Sequence, residues 1–238
     1  MKINAQEILQ ETHDVFIKSG FKDILDNSIT ISKTDYYKLH TNFLVPTSIK
    51  IDIDLFVNQI QQFKFHQWGK NHTHLPRYGL ALVNQTGELI DDDPINGSLM
   101  TWNKEYPNNP IIETDCVKPT PVMNITSLEP LKIFNNHWTR SNVLKWDNGA
   151  KFLPHIDTVV PSMWLRLWMG TEGLVVRQYD EQTQELKSID YEPGRVYLID
   201  TSIIHDAYSI KNDVYQLFLS VFTSADYLIS SVILPKQV

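Results

Sequence analysis

A run of short apolar segments separated by turn residues occupies the chain from residue 141 to residue 222. Turns are predicted at Asp147-Asn148-Gly149, between Gly170 and Gly173, and at Pro193-Gly194, because these residue types tolerate the backbone angles of tight turns. Short strands at this spacing favour a β-sandwich or barrel. The eight predicted strands are SNVLKW, AKFLPHID, WLRLWMG, GLVVRQY, ELKSIDY, RVYLID, HDAYSI and YQLFLSVF.

The N-terminal part of the chain has a helical pattern instead. Apolar residues recur at intervals of three and four from Ile8 to Phe16, which predicts an amphipathic helix that ends at Gly20. A second helix is predicted from Ile53 to Phe65, with a glutamine-rich face opposite its apolar face. We expect both helices to brace the outside of a mainly β (α+β) core.

The whole chain, residues 1–238, is predicted to form a single domain, with a mostly helical part at 1–75 and the β core at 76–238. The segment YGLALVNQTGELI predicts a hairpin with its turn at residues 84–87. The segment from Asp91 to Pro121 is rich in Asp, Asn and Pro, and it predicts a long ordered loop over one face. No internal repeat or linker marks a second domain.

Composition excludes several classes of partner. The formal net charge is −7 and no cluster of Lys and Arg stands out, so binding to nucleic acid is not expected. Cys116 is the single cysteine, which rules out an intrachain disulfide and favours a reducing compartment. The sequence has neither a signal-peptide pattern nor an apolar run of membrane-spanning length. We therefore expect a soluble cytoplasmic protein, and the oligomeric state stays open.

Three residues have the spacing of a metal site. His155 and Asp157 lie two apart in an extended segment, so both side chains leave the same face of the strand. His205 follows another predicted strand and a short turn, where a jelly roll would bring its strand beside the first. Two imidazoles and one carboxylate leave three positions of an octahedron open, which suits Fe(II) oxygen chemistry, whereas a structural zinc site is closed by four ligands. Taken alone, the His-x-Asp pair would more often belong to a surface strand.

The stretch from about Asn142 to Phe222 resembles the 2-oxoglutarate-dependent oxygenases of the aspartyl/asparaginyl β-hydroxylase and proline hydroxylase type. The matching pieces are Gly149 with PHID, WLRLWMG followed by GLVVRQY, and PGRVYLIDTSIIHDAYS followed by YQLFLSVF. The resemblance implies a double-stranded β-helix, the jelly roll of cupin-like proteins. It also implies Fe(II), with 2-oxoglutarate and O2 as co-substrates for hydroxylation of a C–H bond.

Carried onto this sequence, the resemblance makes His155, Asp157 and His205 the iron ligands. Arg166 becomes a candidate to bind a carboxylate of 2-oxoglutarate. Trp168, which would share a strand face with Arg166, occupies a position where the β-hydroxylases have a histidine, and it is expected to shape the same pocket.

One position departs from the family pattern. Members usually place an arginine on the strand after the second histidine, where it binds the far carboxylate of 2-oxoglutarate. This sequence has Gln216 there, and a neutral amide cannot neutralise a carboxylate. By strand order, Arg166 and Arg177 are the nearest cations that could replace it. A repositioned co-substrate, a different oxo-acid and a degenerate site are all open.

The leading functional hypothesis is a hydroxylase that acts on an amino acid or on an amino-acid side chain in a peptide. The alternative is a non-catalytic jelly-roll protein that binds a metal or a small molecule, and Gln216 favours this alternative. A DNA-repair demethylase of the same superfamily is a third possibility, which the net acidity disfavours.

Overall fold

Two antiparallel sheets form the body of the molecule in the computed structural model, which describes residues 4–8, 10, 43–67, 77–89, 103, 106–156, 164–201 and 203–235. Among these residues, eight strands form the major sheet and four form the minor sheet. The strands are β1 (Leu44–Lys50), β2 (His66–Gln67), β3 (Arg77–Asn84), β4 (Lys118–Pro119), β5 (Ser141–Trp146), β6 (Lys151–His155), β7 (Trp164–Gly170), β8 (Leu174–Asp180), β9 (Glu185–Ser188), β10 (Arg195–Ile199), β11 (His205–Ser209) and β12 (Val214–Phe222).

The chain alternates between the two sheets from β5 onward. The major sheet has the order β1-β10-β7-β12-β5-β3-β2, with β4 beside β3, and the minor sheet has the order β6-β11-β8-β9. After β5 in the major sheet, β6 enters the minor sheet, β7 returns, β8 and β9 cross again, and β10, β11 and β12 continue the alternation. This winding is a double-stranded β-helix, which confirms the predicted fold class and all eight predicted strands.

Both faces of the major sheet are buried, which explains why its strands have nearly continuous apolar sequences. In β12, Leu217 and Leu219 belong to a large cluster between the sheet and the helices. The alternate residues Val214 and Phe218 pack in a second cluster between the two sheets. We call the sheet face toward this second cluster the inner face, and it is the face that lines the interior of the jelly roll.

Helices cover the outer face of the major sheet, as predicted. Helix α1 (Ile53–Ile60) begins at Asp52, whose side chain accepts a hydrogen bond from the Leu55 amide and so caps the helix. Its apolar side chains Phe56 and Ile60 are fully buried in the outer cluster. Other helical elements after α1 are 3₁₀ helices at Glu113–Asp115, Pro121–Asn124, Thr126–Phe134 and Thr223–Ala225, and α2 (Asp226–Val232).

Two expectations for the N-terminal part differ from the structure, and a third lies largely outside the described residues. The helix predicted to reach Phe65 ends at Ile60, since the following residues turn so that Phe65 packs on Tyr215. Strand β1 lies in the part of the chain predicted to be mostly helical, because its pairing with β10 overrides the local pattern. The predicted helix from Ile8 to Phe16 falls largely outside the described residues, of which 5–8 and 10 are helical.

The turn predicted at residues 84–87 is present, and residues 88 and 89, the last described residues of the predicted hairpin, are not in a strand. The side chain of Asn84 accepts hydrogen bonds from the amides of Thr86 and Gly87, which forms the turn. The end of β3 pairs instead with the distant strand β4, through Val83 and Asn84. None of the helices in the described part of the chain is long and apolar enough to cross a membrane.

Candidate metal and ligand site

The two predicted histidine ligands lie side by side at one end of the minor sheet. His155 is the last residue of β6 and His205 is the first residue of β11, and the two are paired across the ladder. Their ring centroids are 4.4 Å apart. Residues directly opposite each other in a ladder project to the same face, so strand pairing brings both imidazoles together.

Backbone hydrogen bonds orient both imidazoles in the same way. Nδ1 of His155 lies 2.7 Å from the carbonyl oxygen of Leu153, and Nδ1 of His205 lies 2.8 Å from that of Ile203. A carbonyl oxygen can only accept, so each Nδ1 carries a proton and each neutral ring keeps its lone pair on Nε2. Histidine ligands commonly have this second hydrogen bond, which sets the tautomer and the ring orientation.

The third predicted ligand, Asp157, lies outside the described residues and stays a prediction. It follows Ile156, which is buried directly after the end of β6. Within the described ranges, no group of three His, Cys, Asp or Glu side chains is placed to hold a metal ion. The described part of the site is therefore a pair of imidazoles held in similar orientations by backbone hydrogen bonds.

Three residues that the sequence did not single out surround the histidine pair. The Phe152 ring lies 3.7 Å from the His155 ring, and the Phe43 ring lies 5.0 Å from the His205 ring, between centroids. Gln178 is the β8 partner of His205, and its Oε1 accepts a hydrogen bond from the Phe43 amide. A signal for Gln178 exists in the sequence, because it is a polar residue on the same strand face as the buried Val176.

Arg166 lies on the inner face of β7, but it is already engaged with a carboxylate. Its Nη2 is 3.2 and 3.3 Å from the two carboxylate oxygens of Glu113. Arg140 donates to the same carboxylate at 3.3 Å, and all three side chains are at least four-fifths buried. A ligand carboxylate that bound Arg166 would therefore share it with Glu113, a residue that the sequence pattern did not predict for the site.

Trp168 lies on the same face of β7 and is fully buried between the sheets. Its ring packs edge-on against Tyr191 at 5.0 Å, and it lies so close over Gly170 that a Cβ there would be 2.9 Å from the indole. Burial raises the pKa of the Tyr191 hydroxyl, which stays protonated and donates to backbone carbonyls. Trp168 thus fills part of the interior, and glycine is required at position 170 for it to fit.

Gln216 also faces the interior, where it is 5% exposed. Its neighbours across the sheet are Gly170 on β7 and Leu144 on β5. Its Oε1 has no hydrogen-bond partner in the described part of the molecule. The position where the family pattern has an arginine is therefore a buried, neutral amide on the inner face.

Arg177 is not brought to this interior. Neighbouring residues of a strand project to opposite faces, and while Gln178 pairs with His205, Arg177 pairs with Asp206 on the outer face of the minor sheet. Its Nε donates to Asp206 Oδ1 at 2.8 Å, and its Nη2 donates to Oδ2. This bidentate ion pair raises the pKa of Arg177.

The interior holds buried polar atoms that suit a bound ligand. The indole nitrogens of Trp146 and Trp168 and Oε1 of Gln216 are buried without a hydrogen-bond partner among the described residues. Each unsatisfied buried group costs about 1–3 kcal/mol. Two indole N–H donors could bind carboxylate oxygens, and a half-turn of the Gln216 amide would add a third donor. The interior donors and the two histidines fit a metal with an anionic co-substrate.

Comparison with known proteins finds distant structural likenesses and no sequence match. No family model and no curated protein sequence matches the chain. Solved structures that it resembles include a prolyl-4-hydroxylase from Pseudomonas putida, with 9% identity and a TM-score of 0.42, over 78% of this chain and 94% of the other. A Trichoplax adhaerens prolyl hydroxylase in complex with a hypoxia inducible factor peptide has 13% identity and a TM-score of 0.41, over 88% and 96%.

A member of the 2OG-Fe(II) oxygenase family from Burkholderia pseudomallei has 9% identity and a TM-score of 0.39, over 71% of this chain and 76% of its own. The chain also matches oxalate oxidase structures, of which it spans 41% of the length. These likenesses assign no activity to this chain.

Proposed function

We propose that this protein is a non-haem Fe(II) and 2-oxoglutarate-dependent oxygenase. The observation that carries the proposal is the histidine pair, in which His155 and His205 are neighbours across two strands and both present Nε2 as the ligand atom. Asp157, two residues beyond His155 on the same chain segment, is the proposed carboxylate ligand. Two imidazoles and one carboxylate are the ligand set of the non-haem Fe(II) oxygenases.

The chain's own residues would hold the metal, keep its ligands oriented and exclude bulk water. His155 and His205 hold the metal, and their backbone hydrogen bonds keep both rings in the ligating tautomer. When bound, the iron and 2-oxoglutarate supply O2 activation for C–H hydroxylation, with succinate and CO2 as co-products. Phe43 and Phe152 flank the two rings and keep bulk water from one side of the site. The proposed substrate is an amino acid or an amino-acid side chain in a peptide.

The test combines metal binding with product formation. Purified protein loaded anaerobically with Fe(II) should bind close to one equivalent, and it should convert 2-oxoglutarate to succinate when O2 and a panel of amino acids and peptides are added. His205→Ala should lose both properties, because one of the two oriented ligands is gone. His137→Ala removes a histidine that contacts Tyr227 on another part of the molecule, and it should retain both. Succinate formation that survives in His205→Ala would contradict the proposal.

A non-catalytic metal or small-molecule binding protein is the second candidate, and one observation favours it. Gln216 and Trp168 fill positions where the family pattern has charged or titratable side chains, and both are buried in the interior. If this candidate is correct, the protein will bind Fe(II) through the histidine pair but form no succinate across the panel.

A further inference from the structure

Another buried cation lies on the inner face of the major sheet, the face to which Gln216 also projects. Arg77 is the first residue of β3 and is 5% exposed. It pairs with Trp146 on β5, which pairs with Val214 on β12. Gln216 lies two residues along from Val214 and therefore projects to the same face. Arg77 and Gln216 thus occupy adjacent rows of the same face.

Aromatic rings connect Arg77 to the histidine pair. The guanidinium carbon lies 4.0 Å from the centroid of the Phe152 ring and 5.3 Å from that of Trp146. The Phe152 ring lies in turn 3.7 Å from the His155 ring. Because these two distances share the Phe152 centroid, the guanidinium carbon lies within about 8 Å of the centre of the His155 imidazole. A five-carbon dicarboxylate extends roughly 5 Å between its end carbons at standard bond lengths, so it fits this span.

Two other arginines, Arg166 and Arg177, contact carboxylates of this chain. Arg166 contacts both carboxylate oxygens of Glu113, and Arg177 forms its bidentate pair on the opposite face of the minor sheet. Arg77 lies on the inner face, is almost fully buried, and is within reach of a dicarboxylate held at the histidine pair. Its planar guanidinium can bind a carboxylate through two parallel hydrogen bonds. Such a pair is strong inside an apolar layer, where the local dielectric constant is low.

We propose that Arg77 binds the far carboxylate of the co-substrate, and so supplies from β3 the positive charge that residue 216 does not supply from β12. The indole N–H of Trp146, which lies beside Arg77 and is buried without a partner among the described residues, is placed to donate to the same carboxylate. This inference rests on the proposed function and specifies which residue selects a dicarboxylic oxo-acid.

The experiment measures ligand affinity without turnover. Anaerobic Fe(II)-loaded protein is titrated by calorimetry with 2-oxoglutarate and with 2-oxopentanoate, which has the same chain length but lacks the far carboxylate. Wild-type protein should prefer 2-oxoglutarate. Arg77→Met keeps an apolar stem against Phe152 but removes the charge, so it should weaken 2-oxoglutarate binding about 10- to 100-fold, the range of a charge-assisted pair. Its affinity for 2-oxopentanoate and for Fe(II) should be unchanged.

Arg77→Lys retains the positive charge but loses the planar guanidinium with its two parallel donors. It should keep an intermediate preference for 2-oxoglutarate over 2-oxopentanoate, which keeps the test decisive if Arg77→Met fails to fold. Arg177→Met is the matched control and should bind 2-oxoglutarate as wild type does. Equal binding by wild type and Arg77→Met overturns the inference while the proposed function stands, and a loss confined to Arg166→Met assigns the role to that residue instead. If Fe(II)-loaded wild-type protein binds no 2-oxoglutarate, the proposed function and the inference both fail.

Discussion

Replacement of Arg177 by methionine tests whether this arginine stabilises the fold or serves the interior. The Asp206 side chain is only 6% exposed, while that of Arg177 is 34% exposed. Removing one partner of a fully buried ion pair costs about 3–5 kcal/mol. Water reaches the exposed side of this pair and compensates part of the loss, so we expect Arg177→Met to lower the free energy of unfolding by about 2 kcal/mol. For a chain of this length, that corresponds to a decrease in Tm of about 4–8 °C.

Thermal and urea unfolding of the metal-free protein measure this loss, and calorimetry measures 2-oxoglutarate affinity in parallel. The double variant Arg177→Met/Asp206→Asn should recover about 1 kcal/mol relative to Arg177→Met alone, because it no longer leaves a charged carboxylate buried without its cation. A Tm within about 1 °C of wild type, in place of the expected decrease of about 4–8 °C, would refute the structural role. A 2-oxoglutarate affinity about tenfold weaker than that of wild type would instead assign Arg177 to the interior.

Three further changes test other parts of the structure. Gly194→Ala should lower the free energy of unfolding by at least about 2 kcal/mol in urea denaturation, because residue 194 has a φ of +81° and a Cβ there would lie 2.5 Å from the carbonyl oxygen of Ile51. Tyr191→Phe should cost about 1–2 kcal/mol in the same assay, since the partly buried hydroxyl donates to backbone carbonyls. The hydrogen bond from Lys187 lowers the pKa of Asp180 from 3.8 to about 2, so its stabilising effect is present above pH 4 and is lost as the pH falls toward 2. Lys187→Gln should move that pKa back toward 3.8 in an NMR titration.

The strands of the core could be predicted from the sequence because their signals are local. Period-two burial, β-branched and aromatic residues, and glycine in left-handed turns such as Gly149 and Gly173 act within a few residues. The strand β1 could not be predicted in this way, since its pairing partner β10 lies about 150 residues further along the chain. The short strand β4, which pairs with the end of β3, was missed for the same reason.

The histidine pair shows which features of the site could be predicted from the sequence and which could not. The order of the predicted strands in a jelly roll predicted that the strands of His155 and His205 would be neighbours, and the register shows that the two residues face each other. The carbonyl groups that set both tautomers come from residues two positions earlier on the same segments. A sequence carries no signal for such backbone contacts, because they depend on the local path of the chain.

The sequence alone predicted eight core strands and the mainly β architecture, and it singled out the two histidines, because these depend on local periodicity and on spacing along the chain. Only the tertiary structure decided which charges face the interior. The sequence offered Arg166 and Arg177 as replacements for an arginine at position 216, but pairing with β11 places Arg177 on the outer face and Glu113 engages Arg166. Arg77 lies far from the histidines in sequence, and it reaches the interior because sheet pairing sets the register of residues that are distant along the chain.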